Sequence, residues 1–315
     1  MNNYNYVQKF LHNFIFSNKF ILRSLYDLEK ILFSKNIDNI KYNHHIFITS
    51  LPRSGTTILL NCIFDSQNFS SLTYKQMPFV LSPNMFSKIN FFSSNKKKER
   101  AHTDGIFYNI NSPEAFDEVF FNLFSEEEIS IEIYNFINLV LNLNNKKRYL
   151  SKNNSNYKRI KLIQKLLPNS LFIIPIRNPL QQAYSLFKQH KNFLKLQEKD
   201  IFVLKYMNYL GHHEFGKNHK YWFKPNKFHN LNDHNYWLEQ WLFFYRDALN
   251  KHKKNENCIF IKYENLSNHN YLKEISEKLQ IENLANNFFK NKDKKIDLNF
   301  DQELFEKSTD LYNSL

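Results

Sequence analysis

Two cysteines, Cys62 and Cys258, are all that a chain of 315 residues carries. Neither a disulfide framework nor a cysteine-based zinc site can be built from them, so a reducing, cytoplasmic setting is expected. Glycine is almost absent: Gly55, Gly105, Gly211 and Gly216 are the whole set. In a sequence so sparing of glycine, those present are expected where the backbone needs a positive φ or a ligand approaches closely. Long apolar runs are missing too. The most apolar early stretch, residues 10–33, is interrupted by Lys19, Arg23, Asp27, Glu29 and Lys30, so no transmembrane segment or signal peptide is expected. Acidic residues are in the minority, 30 against 43 Lys and Arg, for a net charge of +13. That excess points to an anionic partner: nucleic acid, a membrane face, or a phosphorylated or sulfated small molecule. What the chain does have is aromatic bulk, with 32 Phe and 18 Tyr. Such apolar surface excludes a wholly disordered chain and supplies a substantial core.

Periodicity divides the chain into alternating strands and helices. Residues 1–43 read as a helical N-terminal extension, with Phe10, Phe14, Leu22, Leu25, Leu28 and Leu32 at helical spacing. Residues 45–50 read as a buried strand running straight into a helix from about Thr57 to Asp65, and 69–74 as a second strand. Residues 91–105 look like an exposed loop. Ser112-Pro113-Glu114 has the form of a helix start, and Ser125 followed by three glutamates that of another. Further strands are expected at 148–151, 171–176 and 258–262. Helices are expected at 156–167, from Pro179, at 233–250 and at 271–279. The alternation predicts one α/β domain with a mostly parallel central sheet, its core at 44–280 and a C-terminal tail at 281–315.

The strongest chemical signal is Ile48-Thr49-Ser50-Leu51-Pro52-Arg53-Ser54-Gly55-Thr56-Thr57, which joins a buried strand to a helix N-terminus. Backbone N–H groups and the helix dipole make such a corner an anion site. Ser54, Thr56 and Thr57 add hydroxyls, and Arg53 a planar cation. Compared with the nucleotide-triphosphate loop and aligned on Gly55, Ser50 replaces the first glycine and Thr56 the lysine. The strand at 171–176 ends in Arg177 where a magnesium-binding aspartate would stand. A smaller anion carried without metal suits the loop better than a triphosphate with Mg²⁺.

Pro52-Arg53-Ser54-Gly55-Thr56-Thr57 resembles the 5′-phosphosulfate loop of sulfotransferases that use 3′-phosphoadenosine 5′-phosphosulfate (PAPS). Ile173-Ile174-Pro175-Ile176-Arg177-Asn178-Pro179, with Ser185 eight residues beyond Arg177, resembles that family's 3′-phosphate element. Lys152-Asn153-Asn154 and Tyr263-Glu264-Asn265-Leu266 resemble segments of bacterial and tyrosylprotein-type members. The resemblance covers about residues 44–280. It implies a P-loop-like three-layer fold, PAPS as sulfuryl donor and a hydroxyl or amine acceptor. It also implies nucleotide contacts from Pro52, Arg53, Ser54, Gly55, Thr56, Thr57, Arg177 and Ser185, with no metal.

Sulfuryl transfer needs a cation on the moving oxygens and a base for the acceptor proton. Arg53 is placed for the first. Many members carry a glutamate near the second strand, but Leu72-Thr73-Tyr74-Lys75-Gln76 has no carboxylate. His102 with Asp104 is one candidate base, and Glu114 or Glu118 another. Gly211-His212-His213-Glu214-Phe215-Gly216 reads as an acceptor-side loop or lid in preference to a metal site. The acceptor stays open among glycan, lipid, peptide and small alcohol, and nucleic acid is not expected. The competing classes are a P-loop nucleotide kinase or NTPase and a non-enzymatic basic nucleic-acid-binding protein.

Overall fold

Short apolar runs form the strands of this protein, and the amphipathic stretches between them form capped helices. The computed structural model describes residues 4–34, 39–88, 97–100, 105–282, 284 and 295–315. In chain order its elements begin with α1 (Tyr6–Phe16), α2 (Lys19–Phe33), β1 (Ile46–Ile48), α3 (Thr56–Asp65) and β2 (Phe69–Ser70). A small hairpin of β3 (Lys98–Glu99) and β4 (Phe107–Tyr108) precedes α4 (Glu118–Leu123), α5 (Glu126–Asn144) and β5 (Arg148–Lys152). Then come α6 (Ile160–Leu166), β6 (Leu171–Ile176), α7 (Pro179–Lys199) and α8 (Ile201–Tyr209). The chain closes with α9 (His234–His252), β7 (Cys258–Lys262), α10 (His269–Leu279) and α11 (Gln302–Asn313).

The central sheet runs β2-β5-β1-β6-β7, with every pairing parallel. Its side chains alternate between two cores. Phe47, Phe172 and Ile174 face the larger one with α5, α7 and α9, while Ile46, Ile48, Leu150 and Ile173 face α3 and α10. Helices on both faces of a parallel sheet make the three-layer α/β fold, and α1 and α2 add the helical extension, packed against α8 and α5. Trp237 and Trp241 on α9 are fully buried. Asparagine, abundant in the sequence, serves as N-cap for α1, α2, α7 and α10 through Asn5, Asn18, Asn178 and Asn268. Ser125 and Glu128 form the capping box of α5, as their spacing predicts. Among the described residues, no helix is long and apolar enough to cross a membrane.

The structure corrects several local expectations. Ser112-Pro113-Glu114 does not open a helix. Tyr74 N donates to Ser112 O and Glu114 N to Leu72 O, so this segment lies along residues 72–74 as an extended bridge and the helix starts at Glu118. Pairing with a neighbouring chain segment outweighs the local cap preference here. For the same reason the second strand is only Phe69–Ser70, since a 3₁₀ turn at Tyr74–Gln76 follows it. Part of the expected exposed loop is the β3–β4 hairpin, and Arg100 beside it is buried. The helix expected at 156–167 begins as a 3₁₀ turn, Asn154–Arg159. The expected C-terminal tail contains α11, packed on α9 and α7.

Three imidazoles are locked neutral inside this core. His45 donates from Nε2 to Ile40 O (2.8 Å) and accepts at Nδ1 from Tyr149 N (3.0 Å). Burial lowers His12, His45 and His190 to about 4. The unfolded chain would protonate them near 6.5. Their stabilising contribution is therefore complete above about pH 6.5 and is lost as the pH falls towards about 4. The thermal midpoint should be nearly flat at neutral pH and fall steeply between those values. His45→Gln should start less stable and lose less per unit of acidification. A midpoint that stays level down to about pH 4.5, followed by circular dichroism, would contradict this.

Candidate active site

In a parallel sheet every strand ends at the same edge, and ligands bind where the chain crosses over on either side of a central strand. Here that strand is β1, with β5 on one side and β6 on the other. Thr49-Ser50 leaves β1, Asn153-Asn154 leaves β5, Arg177 leaves β6 and Tyr263 leaves β7, all at one edge.

The loop after β1 is held from behind. Ser50 Oγ donates to Pro175 O (2.7 Å), and Ser54 Oγ to Leu51 O (2.9 Å). Gln182 on α7 donates to Leu51 O (3.2 Å) and Pro52 O (2.9 Å). The carbonyls are thus drawn into the core. Ser54's hydroxyl braces the loop. Arg53 and Gly55 both take left-handed conformations, with φ of 70° and 95°. Gly55 is the N-cap of α3 and supplies no side-chain cap to its first N–H groups, and Thr56 and Thr57 of that first turn line the cleft. A Cβ on Gly55 would lie 2.4 Å from Tyr263 Cδ2, so glycine is demanded by both backbone and space.

Residues far apart in the chain meet at this corner. Arg53 Nε donates to Ser185 Oγ at 3.0 Å. The Arg177 guanidinium sits over the Tyr263 ring, 5.2 Å from its centroid, and Arg177 Nε is buried without a hydrogen-bond partner among the described residues. Tyr263 therefore touches both Gly55 and Arg177. Glu264 secures it, accepting from Asn178 N (2.8 Å) and from the Tyr312 hydroxyl of α11 (2.6 Å).

A cavity of about 170 Å³ opens beside the loop. Pro52, Arg53, Thr56 and Thr57 line one end, and Arg100, Glu114, Lys152, His212 and Glu214 the middle. Glu114 accepts from Arg100 Nη1 (3.1 Å) and Tyr74 Oη (3.2 Å) on one oxygen, and from Lys152 Nζ (3.3 Å) and Ala115 N (3.0 Å) on the other. Arg100 Nη1 also donates to Thr57 Oγ1 (3.2 Å). His212 Nδ1 faces Glu214 Oε2 at 3.5 Å. Burial works against the imidazolium, but the Glu214 carboxylate outweighs it and raises the His212 pKa above the ordinary value. Burial likewise opposes the charge on Glu214, yet His212 and Lys152 hold its pKa down to about 2.

A sequence model described as the sulfotransferase family matches residues 45–282. The chain belongs to the sulfotransferase family. Its structure is similar to that of sulfotransferase STF1 from Mycobacterium tuberculosis H37Rv, with 13% identity and a TM-score of 0.48 over 98% of this chain and 81% of that one. It is also similar to sulfotransferase STF9 from Mycobacterium avium, with 13% identity and a TM-score of 0.47 over 91% of this chain and 76% of that one. The sulfotransferase domain of the Synechococcus PCC 7002 olefin synthase aligns at 11% identity and a TM-score of 0.40, over 88% and 98% of the two chains. No curated protein matches the sequence.

In this sulfotransferase-family chain, the nucleotide residues expected from sequence gather at the sheet edge, but the candidate bases do not gather at one point. His102 and Asp104 lie outside the described residues. Glu114 lines the cavity as the brace of two cations. Glu118 lies away from it, gripped by Arg159 (2.7 Å) and Asn153 (2.7 Å). Neighbouring Asp117 is buried behind β5, where burial raises its pKa to about 6 and Ser151 and Tyr149 donate to it. Sequence reasoning gave Arg100 no role, although it stands in the same string as His102. It also left His212 and Glu214 unassigned within a flagged loop.

Gly55→Ala should destabilise the protein by more than the ~1–2 kcal/mol of left-handed strain alone, because the new methyl meets a ring. Adding Tyr263→Ala should recover part of the loss. Equal thermal midpoints for the single and double variants would show that the Tyr263 contact is not what excludes a side chain.

Proposed function

We propose that this protein moves a sulfuryl group from PAPS to a hydroxyl or amine acceptor and releases adenosine 3′,5′-bisphosphate. The observation that carries this reading is the pairing of two anion corners across β1 and β6. The loop amides stand at one. At the other, Arg177 keeps a buried Nε without a partner among the described residues, eight residues before Ser185 on α7. An orphaned buried guanidinium nitrogen is costly unless a ligand completes it, and a phosphate suits it. Arg177 and Ser185 would hold the 3′-phosphate, and Pro52 to Thr57 the 5′-phosphosulfate. Bound there, PAPS supplies the activated sulfuryl group. Arg53 and Lys152 both line the cavity and would steady negative charge on the oxygens in transit. These cations supply the positive charge from within the chain, so transfer should survive EDTA. With both cysteines free and buried, we read it as a cytoplasmic enzyme.

The direct test is isothermal titration with adenosine 3′,5′-bisphosphate. Arg177→Ala should weaken its binding by about 10- to 150-fold, the equivalent of roughly 1.5–3 kcal/mol for a charge-assisted contact. Adenosine 5′-monophosphate, which has no 3′-phosphate, should lose far less. Equal losses would remove Arg177 from 3′-phosphate recognition, and tight binding of ATP with Mg²⁺ in preference would favour a kinase.

A further inference from the structure

Beyond its charged middle, the cavity ends in an apolar chamber. Phe193 from α7, Tyr206, Met207 and Leu210 from the end of α8, and Phe215 from the following loop form its wall, with Tyr4 ahead of α1. All but Tyr4 are buried from bulk solvent. The charged lining groups are tied to the first turn of α3 by Arg100, which donates to both Thr57 and Glu114. His212 sits at the boundary, and its position follows from how α8 stops. Gly211 takes φ 66°, Gly211 N donates to Asn208 O (3.1 Å) and His212 N to Met207 O (2.8 Å). That is a Schellman ending, in which the residue after the glycine folds back over the last turn. A Cβ on Gly211 would meet Glu118 Cγ and Asn122 Nδ2 at 2.6 Å, so the turn has no room for another residue. The ending sets the His212 ring against the cavity beside Met207. Its Nδ1 faces Glu214, and Nε2 has no protein partner among the described residues. Glu214 is itself fixed: Asn154 Nδ2 donates to its Oε1 (3.4 Å), and its carbonyl accepts from His219 Nδ1 (2.7 Å).

We propose that this chamber is the acceptor subsite, that it takes a hydroxyl compound with a small, uncharged, apolar body, and that His212, oriented by Glu214, receives the hydroxyl proton. The inference rests on the PAPS-dependent reading above. Size and polarity select the class. The whole cavity, charged groups included, measures about 170 Å³, little more than the ~150 Å³ that admits benzene, so its apolar part takes at most one ring or a similar small hydrocarbon. A sugar or peptide would bury many polar groups against a wall whose hydroxyls, those of Tyr4 and Tyr206, already bond each other (3.4 Å). In the transfer, the acceptor oxygen bonds to sulfur as the bond from sulfur to the 5′-phosphate oxygen breaks. That electron pair leaves with adenosine 3′,5′-bisphosphate, and the acceptor proton passes to His212 Nε2 and then to water. Glu114 is less suited, since both its oxygens already hold cations. Around His212 stand Glu214 on its own loop, Lys152 from β5, and Glu114 and Arg100 from the segments before α4.

The test separates binding from turnover. Equilibrium titration in the presence of adenosine 3′,5′-bisphosphate uses 4-methylphenol, cyclohexanol and glucose, and single-turnover rates use PAPS with the same probes. The two apolar alcohols should bind and react while glucose does neither, and Met207→Gln, of similar length, should weaken both by several-fold. His212→Ala should still bind nucleotide and 4-methylphenol but lose turnover by about 10²–10⁴-fold. The wild-type rate should climb with pH through the His212 pKa, above about 6.5. Glu214→Gln should move that rise to lower pH, because the imidazolium loses its carboxylate; a merely structural role would lower the rate without moving it. Normal turnover by His212→Ala, preference for glucose, or no apolar probe bound to a protein that does bind the nucleotide would each overturn the proposal. Failure to bind adenosine 3′,5′-bisphosphate at all would instead overturn the PAPS reading beneath it.

Discussion

A buried amide, Gln182, braces the loop after β1 together with the Ser50 and Ser54 hydroxyls. Its nitrogen donates to Leu51 O and Pro52 O, and its oxygen accepts from Trp241 Nε1 (3.0 Å) and the Tyr245 hydroxyl (3.1 Å). With no exposure to solvent, it has no alternative partners, and a fully satisfied polar group of this kind fixes one arrangement. Trp241 also donates to Arg177 O (3.2 Å). The same α9 side chain thereby ties the brace of the β1 loop to the end of β6.

The cavity beside this corner obeys a different constraint, which is that buried charges need partners. Arg100 and Lys152 come from separate segments, and Glu114 between them makes the arrangement tolerable in a poorly solvated space. Removing one member of such a buried set typically costs about 3–5 kcal/mol, because the remaining charges stay buried. Glu118 does the same for Arg159 one turn into the fold, at a point that also backs Gly211. Two acidic residues that look alike in sequence therefore hold different parts of the site: one braces the cavity cations, and the other supports the turn that carries His212.

Much of this was legible because it is local. Ser125-x-x-Glu128 announces a cap, Asn178-Pro179 a helix start, and the string around Gly55 a strand–loop–helix unit. Errors fell where distant segments compete. Ser112-Pro113-Glu114 has a good helix-start pattern, yet residues 72–74 claim its backbone. Arg100 sits in a polar string that looks solvent-exposed, yet Glu114 and Thr57 draw it inside.

Sequence alone marked the two elements proposed to hold the donor's phosphates. Arg53, Gly55, Arg177 and Ser185 are recognisable by type and spacing, since helix termini and strand ends impose fixed offsets. Only the tertiary structure decided what lies between and beyond them: that Arg53 touches Ser185, that Tyr263 closes over Gly55, and that Gly211 delivers His212 to a chamber walled from four parts of the chain. Nothing in the spacing from residue 4 to 193 to 206 encodes their meeting. Those contacts exist because a parallel sheet brings its strand ends to one edge and the helices covering it must bury their aromatic faces against one another.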